Sequence, residues 1–318
     1  RARTAADIPE AGGRCYRVGM VCGRRFSIVV SVLAGVIALG GCSAPDRPAR
    51  LAGGLPDGVT RVFVPDTLRS VHVAHGVRYH YLWSATGPFA IHLAEIDLDR
   101  CGIGVDVGVV DAGLRSVSEI AALHGRTVLV AVNGDFFTPE GRPTGPEVSR
   151  GVVRASRTRP ALVWHGRRAW IGAAGVREGL VEPLGWAVPD FLAEVDVIGG
   201  FPELVDEGSR VGDLGVASNP GFAATRHPRT AVGLDLERQR LWLVVVDGRQ
   251  GAYSTGMTLP ELADLFDALG ATEALNLDGG GSSVMLLRGR RVSRPSDAEG
   301  ERPVVNALLI VEDPDGCR

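Results

Sequence analysis

The residues best suited to chemistry lie in the stretch Asn276-Leu277-Asp278-Gly279-Gly280-Gly281-Ser282-Ser283. An apolar run, Ala274 to Leu277, brings an amide and a carboxylate to the start of a triple-glycine turn that carries two hydroxyls. Residues i and i+2 of a strand point to the same side, so Asn276 and Asp278 project together just where the chain loses its Cβ atoms. A carboxylate so placed can serve acid/base chemistry, and the glycine-rich backbone beside it can form a nest for an oxyanion. A lone Asp-Gly is most simply a tight turn, but three glycines are more than a turn needs.

Two helix-to-strand units deliver such groups. Ser116 to Glu119 reads as a capping box, with Ile120 and Leu123 on the apolar face and Gly125 as the stop; a strand over Thr127 to Val132 then runs into Asn133-Gly134-Asp135. Thr258 to Glu261 repeats the box, Leu262, Leu265, Phe266 and Leu269 keep helical spacing, Gly270 ends the helix, and the next strand ends in Asn276-Leu277-Asp278. Side by side in one sheet, the two strands would bring four polar groups to one edge. A hairpin of Thr230 to Leu236 and Leu241 to Val246, turning at Glu237 to Arg240, gathers His227, Arg229, Asp247, Gly248 and Arg249 at its open end. Two guanidiniums there read as an anion site, or as a surface salt bridge with Asp247.

The remaining segments are mostly strand-like: Val71 to Tyr81, Phe89 to Asp97, Ile103 to Val110, a hairpin around His165-Gly166, and Val304 to Val311, whose Asn306 needs a partner if buried. Pro139 to Arg159 reads as one long loop, and Gly199-Gly200-Phe201-Pro202 as a sharp bend. His72, His75 and His80 read as surface or packing residues rather than metal ligands. The fold class expected is α+β, with mixed β-sheets, a few packed helices and a single catalytic domain.

At 318 residues, 45% hydrophobic and a net charge of -3, the chain is an ordinary globule with no polyanion-binding character, and no nucleic-acid partner is expected. All 34 basic residues are arginines, which excludes a P-loop lysine and a Schiff base. Arg24 and Arg25, an apolar run from Phe26 to Leu39 and Leu39-Gly40-Gly41-Cys42 form a secretory pattern ending in a lipobox-like sequence, with translation from Met20 a further expectation. Residues 1–42 are thus expected to be an export signal with Cys42 lipidated, 43–58 a flexible tether, and 59–318 the domain. Export to an oxidising cell envelope leaves Cys101 and Cys317 as a pair able to form a disulfide.

No Gly-x-Ser-x-Gly elbow, His-Glu-x-x-His or Walker spacing is present. Ser282 or Ser283 as nucleophile would find only His227 as a base, so carboxylate-driven hydrolysis with a bound phosphate fits better. The ordered set Asn133 to Phe137, Gly199 to Pro202, Arg229 to Gly233, Asp247 to Gln250, Gly256 to Leu259, Asn276 to Ser283 and Arg302-Pro303 with Asn306 resembles the phosphodiester glycosidase family, over roughly Val71 to Val311. The resemblance implies a hydrolase that cleaves the glycosidic C–O bond of a sugar-1-phosphodiester and releases free sugar and a phosphomonoester, acting on cell-envelope or extracellular glycans. It implies Asp278, Asp135 and Glu301 as catalytic carboxylates, with Glu147 a further acid. Many relatives place a small residue where Asp135 stands. Asn133, Arg229, Asp247, Arg249, Asn276, Gly279, Gly280, Gly281, Ser282 and Asn306 are the expected substrate-binding groups. No cofactor is expected, a divalent metal being left open, and the lipid anchor would make the membrane a partner. The alternatives are an envelope glycan-binding lipoprotein without turnover and a metal-dependent phosphodiesterase.

Overall fold

The computed structural model describes residues 54–314 apart from 112, 167, 178–179, 184–194 and 238. The export segment, Cys42, most of the tether and Cys317 lie outside these residues, while Cys101 is disulfide-bonded. Among the described residues no helix is long and apolar enough to cross a membrane. The folded part takes in the end of the expected tether, because the helix Asp57–Val62 buries Val59 and sets Gly58 against the Ala268 carbonyl.

The architecture is mostly β. Eight strands form one sheet in the order Thr67–Ala74, Val77–Ser84, Phe89–Asp97, Arg240–Val246, Arg229–Asp235, Glu273–Asn276, Glu203–Asp206 and Ser209–Arg210. Six form a second: Leu180–Pro183, Arg168–Arg177, Arg159–His165, Asp196–Gly199, Pro146–Ser149 and Val152–Ser156. Five form a third: Arg290–Arg291, Met285–Leu287, Val128–Asn133, Asn306–Asp313 and Gly102–Val109. Every ladder among the described strands is antiparallel, so the sheets are not mixed as expected. The capped helices do not link parallel neighbours; each lies on a sheet face.

Both helices form as their caps dictate. Ser116 accepts from the Glu119 N–H and Thr258 from the Glu261 N–H, each glutamate reaching back to the cap, and the second helix ends at Gly270 with φ 76°. The Arg229–Asp235 and Arg240–Val246 strands pair from Arg229 opposite Val246 to Asp235 opposite Arg240, the hairpin the sequence implied. Val71 to Tyr81, expected as one strand, belongs to a hairpin that turns at His75-Gly76, where Gly76 takes φ 77°. The expected loop Pro139 to Arg159 contains the hairpin Pro146–Ser149 and Val152–Ser156, turning through left-handed Arg150 and Gly151.

Alternation along Arg240–Val246 shows how the core is built. Leu241, Leu243 and Val245 face a cluster shared by all three sheets, with Val130, Leu162, Ile198 and Leu308. Trp242, Val244 and Val246 face the other way, toward Leu262, Phe266 and Leu269 of the helix Leu259–Leu269. A strand buried on both faces is a continuous apolar run, as this one is. The helix Val117–Leu123 covers the five-stranded sheet through Val117 and Ile120 against Ala131 and Leu309.

Candidate active site

The two Asn-x-Asp segments end in different sheets, Val128–Asn133 in the five-stranded one and Glu273–Asn276 in the eight-stranded one, and not side by side as expected. They meet end to end instead. The Asp278 N–H donates to the Gly134 carbonyl at 2.9 Å, and the Asn133 amide donates to the Asp278 carbonyl at 2.6 Å. The Asn133 oxygen accepts from the Thr230 hydroxyl (2.7 Å) and the Val284 N–H (3.2 Å). Asn133 is therefore a buried clamp tying the two sheets to the glycine turn, rather than a group open to a ligand.

Asp278 is half-buried at that junction. Burial pushes its carboxyl above the ordinary carboxylate range, against the Ser282 hydroxyl, the Gly279 N–H at 2.9 Å and the nearby Arg302 charge, which favour the anion. The Ser282 oxygen leans on the carboxylate without closing a regular hydrogen bond; it and the Ser283 hydroxyl are buried without a partner among the described residues.

The glycines do not form the open nest expected. The Gly280 N–H donates to the Pro228 carbonyl at 2.9 Å, and the Ser282 and Ser283 N–H groups close the turn on Gly279 and Gly280 at 3.2 Å each. Their role is close approach: a Cβ on Gly279 would stand 2.8 Å from the Pro228 carbonyl, and one on Gly281 would stand 2.2 Å from the Arg302 guanidinium, which is paired with Asp297. Gly280 takes φ 62°, and the Arg249 guanidinium lies over it, 3.3 Å from where a Cβ would be.

Asp135 sits behind this turn, only 1% exposed. Its Oδ2 accepts from the Gly145 N–H at 2.6 Å, and a Cβ on Gly199 would approach that oxygen to 2.8 Å, so two glycines cradle the carboxylate. Its Oδ1 has no partner among the described residues. Desolvation raises its pKa to about 7, opposed by the Gly145 and Phe136 N–H groups and the Arg159 charge and assisted by Glu147. Asn306 braces the same place: its side-chain oxygen accepts from the Asp135 N–H at 2.8 Å, its carbonyl from the Gly134 N–H at 3.1 Å, and its amide donates to Glu147. Glu147 is itself buried, held above its ordinary pKa by desolvation, with Arg154 3.8 Å away.

The two arginines at the hairpin's open end divide into different tasks. Arg229 is 2% exposed and donates to the carbonyls of Met257 (2.9 Å), Phe222 (2.6 Å) and Thr225 (3.2 Å), while the Phe222 ring lies 5.2 Å beneath it. Burial, with the like charge of Arg249, lowers its pKa to about 10, so it stays cationic at neutral pH. Arg249 is exposed and takes φ 59°; its Nη2 donates to His227 Nδ1 at 3.2 Å, while His227 Nε2 donates to the Gly221 carbonyl at 3.0 Å, which fixes the tautomer. Neither arginine forms an ion pair among the described residues, so the salt-bridge reading with Asp247 does not hold.

Asp247 is buried and taken by other donors, His92 Nε2 at 3.0 Å, the Tyr253 hydroxyl at 3.1 Å and the Arg294 N–H at 2.9 Å. It is a structural hub where a ligand contact was expected. Glu301 is engaged elsewhere too: its oxygens accept from the Ser118 hydroxyl (2.6 Å) and N–H (3.1 Å), closing the first turn of the helix Val117–Leu123. Asn276 anchors the crossover Gly199 to Pro202, its Nδ2 donating to the Phe201 carbonyl at 2.7 Å and its own carbonyl accepting from the Phe201 N–H at 2.8 Å.

Arg159 and the Phe201 ring carried no mark in the sequence as members of this junction, and His227, gathered with Arg249 at the hairpin's open end, is its hydrogen-bond partner. The signal available was the Gly-Gly-Phe-Pro bend, which marked the backbone and said nothing of the ring. His80 pairs with Ser70 and Glu95, and no group of three His, Cys, Asp or Glu side chains able to hold a metal ion occurs among the described residues.

The sequence pattern of the phosphodiester glycosidase family matches residues 126–311. The chain is 41% identical over 76 residues to the N-acetylglucosamine-1-phosphodiester alpha-N-acetylglucosaminidase of Mus musculus. It is 39% identical over 85 residues to the SPbeta prophage-derived uncharacterized protein YomE of Bacillus subtilis (strain 168). These matches take in 24% and 27% of this chain, and only 14% and 13% of the two relatives. Among solved structures, the catalytic domain of zebrafish N-acetylglucosamine-1-phosphodiester alpha-N-acetylglucosaminidase, auto-inhibited by its pro-peptide, matches with a TM-score of 0.57 at 21% identity, over 77% of this chain and 84% of that one. A hypothetical protein from Synechocystis matches with a TM-score of 0.60 at 19% identity, over 78% and 64%. At these identities the structures show a common fold.

Proposed function

Because the chain belongs to the phosphodiester glycosidase family, we propose that it hydrolyses the glycosidic C–O bond of a sugar-1-phosphodiester, releasing the free sugar and a phosphomonoester. The observation that carries this reading is the placing of a half-buried carboxylate of raised pKa, Asp278, at a turn overlaid by Arg249, an arginine without a carboxylate partner among the described residues. A phosphomonoester is already a good leaving group, so the protein need supply only a base for water and stabilisation of the oxocarbenium-like sugar.

Asp278 is assigned the first task, since a carboxyl held above its ordinary range is the stronger base. Arg249, oriented by His227, holds the phosphate, and Arg229 adds a fixed positive field behind it. Asp135, closed from solvent, is assigned to holding the junction, with Asn306 and Glu147 bracing it. No step calls on a cofactor. With residues 1–42 read as an export signal lipidated at Cys42, the enzyme would work at the cell envelope, on envelope or extracellular glycans.

Hydrolysis of methyl N-acetylglucosamine 1-phosphate in ¹⁸O-water tests the assignment. Label in the sugar is the expected result. Label in the phosphate would mean P–O cleavage by a phosphodiesterase, for which loss of activity in EDTA would be the companion sign. Binding without turnover would leave a glycan-binding protein. Asp278→Asn should lower kcat by about three orders of magnitude with the melting temperature little changed; a folded, active variant removes Asp278 from the mechanism.

A further inference from the structure

We infer that the ring of Phe201 is the platform on which the sugar of the substrate rests, with the phosphate on the opposite side of Asp278, under Arg249. This inference rests on the hydrolase reading for the identity of the ligand, and on separate observations for the place.

Phe201 is 45% exposed, a large apolar side chain left open where the rest of the crossover is buried. An open aromatic ring is commonplace by itself; this one is held. Both main-chain polar groups of Phe201 are bonded to Asn276, the last residue of its strand, at 2.8 and 2.7 Å, and Asp278 follows two residues beyond that strand end. The Arg159 guanidinium lies over the ring, 5.3 Å from its centroid, and is itself anchored to the Thr144 hydroxyl at 2.6 Å. The ring is thus backed by a fixed cation while its side chain stays open to solvent. A pyranose has an apolar C–H face that matches such a ring, and covering it removes apolar surface from water on both partners.

The other side of Asp278 has the complementary chemistry. Arg249 lies over Gly280, two residues past Asp278 in the direction away from Asn276. A phosphate is attracted there and gains nothing from an aromatic face, while a neutral sugar gains little from Arg249. The scissile bond between them then falls over the Asp278 carboxyl.

Calorimetric titration of the full chain with N-acetylglucosamine, with glucose and, separately, with inorganic phosphate tests the inference without needing turnover. Phe201→Ala should weaken sugar binding about tenfold and leave phosphate binding unchanged, and Phe201→Trp should retain sugar binding. Arg249→Ala should show the reverse, losing phosphate and keeping sugar. The platform is overturned if Phe201→Ala binds sugar as the wild type does, if it loses sugar and phosphate equally, or if the wild type binds neither sugar. Sugar binding that depends on Phe201 in a protein that hydrolyses no sugar-1-phosphodiester would uphold the platform and refute the hydrolase reading.

Discussion

Replacing Asp135 with asparagine removes a buried carboxylate whose ionisation opposes folding. In the folded protein its pKa is about 7, against an ordinary value of 3.8, so the native state holds a proton that the unfolded chain releases between those two values. The contribution of this group to stability is then full below about pH 4, falls as the pH rises, and is lost by about pH 7. Over the interval from pH 5 to pH 8 the loss is about 2–3 kcal/mol, since each unit of differential titration is worth a little over 1 kcal/mol. Asparagine does not titrate, and its oxygen can still accept from the Gly145 N–H. The Asp135→Asn variant should therefore gain about 2–3 kcal/mol on the wild type between pH 5 and pH 8, which for a domain of this size is about 5–10 °C in relative melting temperature. The assay is thermal unfolding of both proteins by circular dichroism at half-unit intervals. Other raised carboxyls, Asp196 at about 6 among them, act in both proteins and cancel in the difference. A wild-type-to-variant difference that stays flat from pH 5 to pH 8 would refute the buried, protonated Asp135.

Further outcomes follow from the same contacts. Glu147→Gln removes a negative charge that raises Asp135, so the pH window of the wild-type stability loss should move to lower pH, as read in the same unfolding series. Arg229→Met removes a donor from three carbonyls, of which only that of Met257 keeps another, the His227 N–H, and should cost about 3 kcal/mol in urea unfolding. Glu301→Gln weakens a helix start, so stability should fall by about 1 kcal/mol with kcat unchanged in a steady-state assay. Gly134→Ala sets a methyl 2.2 Å from the Asn306 oxygen and should lower the melting temperature more than an alanine at the open Gly212.

Local features of the fold were legible because they depend on neighbours in the chain. The capping boxes at Ser116 and Thr258, the Gly270 stop and the hairpin from Arg229 to Val246 follow from spacings of a few residues, and each stands in the structure as expected. The hairpin at His75-Gly76 was hidden because alternation continues through it. The sheet pairings were hidden for another reason: nothing in the sequence of Val128–Asn133 says that its neighbours will be Met285–Leu287 and Asn306–Asp313, both far along the chain.

The candidate site divides in the same way. The sequence alone determined which residues could do chemistry, since Asp278, the triple glycine and the Arg229 and Arg249 pair were marked by type and spacing. Only the tertiary structure decided what each of them is free to do. Burial and competing hydrogen-bond partners turn Asp247, Asn133 and Arg229 into framework, a helix end takes Glu301, and the Gly279 and Gly280 N–H groups close on the chain itself. Asp278 and Arg249 keep unsatisfied capacity and some exposure, because sheets formed from distant segments meet at the turn without covering it.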